Sequence, residues 1–129
     1  MIKGQEFFQT FQVTDNVYKG FIEIFKDNNP LHTDDAFAQS KKFQAKVMHG
    51  NILNGFLSYF IGECLPVKNV IIQTQEIKFI FPVYLKDKLD FYAKIEDVFE
   101  SVNIAEFRFH FTNAADIKVA KGKVQIGII

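Results

Sequence analysis

After Pro66 the spacing of apolar residues changes from a helical period to a strand period and stays there. This switch constrains the fold more than any other feature of the chain. Residues 69–81 form a long β-prone run. Residues 89–95 alternate, with Leu89, Phe91, Ala93 and Ile95 on one side and Asp90, Tyr92 and Lys94 on the other. Residues 103–111 set Ala105, Phe107, Phe109 and Phe111 against Ile104, Glu106, Arg108 and His110. Residues 118–128 turn Ala120, Gly122, Val124, Ile126 and Ile128 inward. Alternation of this kind puts every second side chain on one face of a sheet. Turn residues at 85–88, 100–101 and 113–116 predict that the four strands follow one another as an antiparallel meander. The apolar face of that sheet needs a cover.

The segment before Pro66 supplies one. From 49 to 63, Ile52, Leu53, Phe56, Leu57, Phe60 and Ile61 recur at helical spacing with few polar interruptions, so a buried helix is expected there. Upstream, residues 6–13 read as a short strand. Thr14, Asp15 and Asn16 offer helix-capping side chains, and Val17, Tyr18, Phe21, Ile22 and Phe25 share one helical face to about Lys26. Asn29-Pro30 is expected to end that helix, because the residue before proline avoids helical geometry. A short helix over 34–42 follows, with Ala36 and Phe37 inward and Asp34 and Asp35 at its start. The expected architecture is α+β, a single domain over 1–129: an antiparallel sheet wrapped around a central apolar helix, the hot-dog fold, with a helical insertion before that helix.

Charge and cysteine content narrow the functions. Fifteen basic and fifteen acidic residues cancel, so no overall basic field draws the chain to nucleic acid or an anionic membrane. The single cysteine, Cys64, rules out a disulfide within the chain and suits a reducing compartment. No signal-peptide pattern opens the sequence and no apolar run reaches bilayer length, so the expectation is a cytoplasmic protein with no membrane partner.

Two clusters can carry chemistry. Asp27-Asn28-Asn29-Pro30-Leu31-His32 sets a carboxylate and an imidazole five residues apart across a segment whose backbone Asn29 and Pro30 restrict. A carboxylate and an imidazole aimed at one point can hold and deprotonate a water between them. Twenty residues on, Val47-Met48-His49-Gly50 leads into the apolar helix. A glycine at a helix start leaves backbone N–H groups free at the positive end of the helix dipole, where they can meet a developing oxyanion. Each signal has a plain structural alternative, a turn in one case and close packing in the other. Their order before an apolar helix and a sheet favours the chemical account.

On these residues the chain resembles the MaoC-like hydratases, in particular the short (R)-specific enoyl-CoA hydratases. The pattern D-x-N-P-[LI]-H-x-D appears as Asp27, Asn29, Pro30, Leu31, His32 and Asp34, followed by Ala36-Phe37. The hydrophobic-hydrophobic-H-G element is Val47 to Gly50, and a later element appears as Phe81-Pro82-Val83 with Lys86-Asp87. The resemblance implies reversible hydration of a trans-2-enoyl thioester, with Asp27 and His32 as the catalytic pair and the Gly50 amide on the thioester oxygen. By register alone it also implies Ser58 near the pair. It implies no metal and no cofactor beyond the CoA or carrier-protein thioester of the substrate, and a homodimer. Asn51 stands where the family has an apolar residue, and Lys86 where it has a glycine.

Among the remaining residues, His49 is expected to shape the loop before Gly50, with contact to the substrate's arm or a part in catalysis as alternatives. His110 reads as surface, Cys64 as an inert core residue, and Lys41, Lys42, Lys46 and Lys78 as solvated or as contacts to CoA phosphates. A hot-dog thioesterase or a fatty-acid-synthesis dehydratase would carry an acidic residue within the central helix, and residues 51–62 contain none. A non-catalytic acyl-thioester binding module and an acyl-carrier-protein-linked dehydratase are the remaining alternatives.

Overall fold

The computed structural model describes residues 1–129. It contains β1 (Glu6–Gln12), α1 (Asp15–Phe25), α2 (Pro30–Thr33), α3 (Asp35–Ser40) and α4 (Asn51–Tyr59). Then come β2 (Val70–Phe79), β3 (Lys88–Phe99), β4 (Ile104–Thr112) and β5 (Lys118–Ile128). All five strands form one antiparallel sheet that carries the apolar face of α4, the expected hot-dog arrangement. No helix is long and apolar enough to cross a membrane.

Sheet order corrects one expectation. The strands run β1-β3-β4-β5-β2, so only β3, β4 and β5 form a meander. β2 does not pair with β3. The edge of β3 that it would need is taken by β1 over seven residues, from Glu6↔Lys94 to Gln12↔Lys88. β2 therefore crosses to the far edge and pairs with β5. Residues 85–88 do not form a hairpin turn. They are tied instead to the end of β1, with Val13 N–H donating to Asp87 O (3.0 Å) and Lys86 N–H to Val13 O (2.7 Å). Bulges at Ile72/Thr74 in β2 and Ile95/Asp97 in β3 bend the sheet around the helix.

The inward faces match the alternation. Leu89, Phe91, Ala93, Ile95, Ala105, Phe107, Phe109 and Phe111 are all buried. They join Ile52, Leu53, Leu57, Phe60 and Ile61 of the helical segment in one cluster. That segment is not a single α-helix over 49–63: it passes into a π-helical turn at Phe60–Cys64. The wider turn accompanies the burial of two consecutive large side chains, Phe60 and Ile61.

The close fit of β2 on β5 depends on Gly122. A Cβ there would collide with the carbonyl of Glu76 and lie 2.9 Å from Phe109 Cζ. Backbone cannot swing aside as a side chain can. Gly122→Ala is therefore expected to cost about 2–3 kcal/mol of stability, measured by chemical denaturation. A loss below about 0.5 kcal/mol would contradict this packing.

The helical insertion differs from expectation in two places, each with a local cause. α1 ends at Phe25 because Lys26 turns into the left-handed region (φ 61°) and donates its N–H to Ile22 O. Asn29-Pro30 does not end a helix but begins one: Asn29 Oδ1 accepts from Leu31 N–H at 3.0 Å, and Pro30 takes the first helical position. α3 is shorter than 34–42, with Asp34 as its cap, and it buries Ala38 rather than Ala36 and Phe37.

Candidate active site

Asp27 lies in the link between α1 and α2, and His32 lies within α2. Asp27 Oδ1 accepts from Asn29 N–H at 3.2 Å, which fixes the carboxylate against the start of the helical turn. Asn29 thus acts twice, as the cap of α2 and as the anchor of the carboxylate. Its own side chain is exposed. The backbone of α2 is held from below, where the Tyr18 hydroxyl donates to His32 O at 2.6 Å. Burial first, and then the Asp35 carboxylate, push the Tyr18 hydroxyl above its ordinary range, so it remains a donor.

The loop before α4 supplies the other half. Val47 N–H donates to Leu31 O (2.9 Å) and Met48 N–H to Val83 O (2.8 Å), so the loop is strung between α2 and the β2–β3 connection. The carbonyl of Val47 then meets His32 Nδ1 at 2.7 Å. A carbonyl only accepts, so Nδ1 carries the proton and Nε2 is left to take one up.

His49 is the buried member of the group, 3% exposed, and its ring lies 4.1 Å from that of His32 and 4.6 Å from Phe21. Its Nε2 donates to the backbone carbonyl of Asp27 at 3.0 Å, and Nδ1 has no partner. His49 therefore does more than shape a loop: it bonds to the backbone that carries the carboxylate and packs on the ring of the imidazole. One polar atom from each of Asp27, His32 and His49 lies within 4.8 Å of the other two. Side chains of these types can also hold a cation. A carboxylate and an imidazole this close can also share a water between them.

Two clefts meet at this point. One, of about 480 Å³, is lined by His32, His49 and Gly50 and is otherwise mostly apolar, from Val13 and Leu53 to the run Phe79–Val83. The other, of about 910 Å³, runs between α1 and α4 with Asp27 in its wall. Asn51 and Ile52 belong to both. The N–H groups of Gly50 and Asn51 donate to no carbonyl, so two unpaired donors belong to residues that line the clefts. At Gly50 a Cβ would sit 2.8–3.2 Å from the ring of Phe79, so a side chain there would require that ring to move. Phe79 is half exposed, and its ring shields the glycine on one side.

The other expected positions fall outside this centre. Ser58 is exposed on α4, about 12 Å along the axis from Gly50, and lines neither cleft. His110 sits on the outer face of the sheet beside Tyr92; burial, with Lys118 nearby, lowers its imidazole below the ordinary range. Lys41 and Lys46 lie over the rings of Phe37 and Tyr18. Cys64 is half-buried and accepts from Gln9 Nε2 at 3.0 Å. The sequence did not mark Tyr18 or the Val47 carbonyl as parts of a site. Tyr18 reads there only as a core position of an amphipathic helix, and a backbone carbonyl leaves no sequence signal.

Known proteins resemble this chain in sequence and fold. The (R)-specific enoyl-CoA hydratase of Aeromonas caviae is 33% identical over 85 residues, which span 66% of this chain and 63% of that enzyme. An R-hydratase of Pseudomonas aeruginosa superposes with a TM-score of 0.89 at 25% identity, covering 99% of this chain and 82% of its own. An (R)-hydratase structure from A. caviae superposes with a TM-score of 0.91 at 24% identity, covering 100% and 98%, and shares the fold. The family model described as the MaoC like domain matches residues 3–112. By that match, which takes in both the Asp27–His32 segment and the start of α4, the chain belongs to the MaoC-like domain family.

Proposed function

We propose that this protein adds water reversibly across the double bond of a trans-2-enoyl thioester, most naturally a CoA thioester, and in reverse dehydrates an (R)-3-hydroxyacyl thioester. The observation that carries this reading is the closeness of Asp27 to His32, with His32 and Gly50, whose N–H has no backbone partner, lining one apolar cleft. Water held between Asp27 and His32 loses one proton to His32 Nε2 as its oxygen bonds to C3. Electron density moves onto the thioester oxygen, where Gly50 N–H stabilises it; one such donor is worth about 3 kcal/mol of barrier. The proton then passes to C2, so one water is consumed and nothing else is gained or lost. The apolar wall around Phe79–Val83 suits the acyl group. Nothing in this scheme asks for a metal or redox group. The names of the relatives support the same reaction, although the matched stretch covers only 63% of the A. caviae enzyme.

The test is direct. Mixing the protein with crotonyl-CoA is expected to bleach the ultraviolet absorbance of the conjugated thioester without releasing free thiol. Thiol release would make it a thioesterase. Binding of acyl-CoA with neither signal would make it a binding module. We further infer a homodimer in the cytoplasm. β2 leaves its outer edge unpaired over ten residues, Ile24 and Phe25 are 71% and 66% exposed beside the Asp27 cleft, and the only cysteine is a free thiol. Sedimentation at micromolar concentration should give twice the chain mass, and a stable monomer would contradict the dimer.

A further inference from the structure

A directional hydrogen-bond ladder lines the wall of the wider cleft. Gln75 Nε2 donates to Asn54 Oδ1 at 2.8 Å, and Asn54 Nδ2 donates to Asn51 Oδ1 at 2.8 Å. Asn51 and Asn54 are i, i+3 neighbours on α4 and so share a face. Gln75 comes from β2, just after the bulge at Ile72/Thr74. That bulge shifts the alternation by one, so Gln75 joins Ile77 and Phe79 on the face toward α4 instead of pointing away.

The ladder has unequal ends. Asn51 has used its oxygen and keeps its Nδ2 donors; Gln75 has used its nitrogen and keeps Oε1 as an acceptor. One end offers N–H and the other offers a lone pair, both on the wall of the cleft that holds Asp27. The two ends are separated by the whole Asn54 amide, so they suit not one amide but an arm with successive secondary amides, one giving its C=O to Asn51 and another its N–H to Gln75. Asn51 also stands next to Gly50, at the junction where the thioester oxygen would sit.

We propose that the Asn51–Asn54–Gln75 ladder is a binding site for the amide-bearing pantetheine arm of the substrate, with the arm running out along the wider cleft. This rests on the reading of the chain as an enoyl-thioester hydratase. Asn51, which takes the place of an apolar residue in the family pattern, supplies the donor end. The same arm is present in CoA and in an acyl carrier protein, so the ladder reads the arm and not its source.

The test uses the full chain and three probes. Calorimetry with butanoyl-CoA, which has no double bond to hydrate, reads binding without turnover. Hydration of crotonyl-CoA and of S-ethyl crotonothioate, which lacks any amide, reads use of the arm. Asn51→Leu and Gln75→Met are each expected to weaken butanoyl-CoA about fivefold and raise KM for crotonyl-CoA by a similar factor. The loss in kcat/KM should be several-fold larger for the CoA thioester than for the ethyl thioester. Asn51→Asp keeps the acceptor for Asn54 and suits a helix start, so it serves as the variant that folds but lacks the donor. Unchanged butanoyl-CoA affinity in all three variants overturns the proposal, as does an equal loss on both thioesters. If wild-type protein hydrates nothing while butanoyl-CoA binding still depends on these side chains, the hydratase reading falls and the arm site stands. Crotonyl-carrier protein, run beside crotonyl-CoA, tells which source the wild type prefers.

Discussion

Asp27→Asn is expected to lower kcat for crotonyl-CoA hydration by about 10²–10⁴-fold with little change in KM. The substitution removes the charge and basicity of the carboxylate and almost nothing else. Asparagine keeps an oxygen where Asp27 Oδ1 accepts from Asn29 N–H, so the link into α2 survives. The backbone carbonyl of residue 27 still accepts from His49. His32→Asn is the matching change on the other side. Its amide nitrogen can still donate to Val47 O as Nδ1 does, but it has no Nε2 to take a proton. Because both groups act on one water, the double variant should be little worse than either single one. Melting temperatures of both variants should stay close to wild type. Either variant keeping more than a tenth of wild-type kcat would sink the assignment of the pair.

The fold was legible where the sequence repeats a period and illegible where partner choice depends on empty edges. Alternation along 89–95 and 103–111 identified every buried residue of those stretches, because a two-sided strand has only one way to face a core. The same alternation gave no sign that β2 would cross to β5. That outcome depends on β1 occupying β3, which begins 76 residues after β1 ends and leaves no local mark. The π-helical turn at Phe60–Cys64 was likewise hidden, since Ile61 and Phe60 fit an ordinary helical face about as well. Lys26 ended α1 in a conformation that non-glycine residues seldom adopt, which propensity does not foresee.

For the site, the sequence marked the residues whose chemical type is rare and missed what holds them. Asp27, His32 and Gly50 were visible as a motif, and the structure brings the first two within reach of each other near the third. In the sequence His49 reads first as a loop-shaping residue, with binding or catalysis as alternatives. Its burial and its bond to Asp27 O arise from the loop 47–49 being strung between Leu31 and Val83, a tertiary fact. Ser58, placed by register, lies on the exposed side of α4 in the chain taken by itself. Asn51 was noticed as a departure from pattern, but its bond to Asn54, and through it to Gln75, needed coordinates to appear.

Phe60→Ala is expected to cost about 4 kcal/mol, a large fraction of the stability of a domain this size. The Phe60 ring is fully buried. It packs 4.8 Å from Phe91, edge-on to Phe7 at 5.4 Å and to Phe107 at 6.0 Å. These rings come from three adjacent strands, β1, β3 and β4, so one side chain ties the C-terminal end of the central helical segment to more than half of the sheet. Nearby side chains can collapse only partly into the space of a lost phenyl ring, because each is itself wedged against another ring. Phe60→Leu fills most of that volume and should cost much less, about 1–2 kcal/mol. Phe60 is ten residues from Gly50, and the start of α4 is fixed separately by the bonds of Val47 and Met48. The folded fraction of Phe60→Leu should therefore keep its hydratase rate, so that the loss shows in denaturant midpoint and not in kcat. Equal stability of the alanine and leucine variants would mean that the ring cluster is not what holds the helix to the sheet.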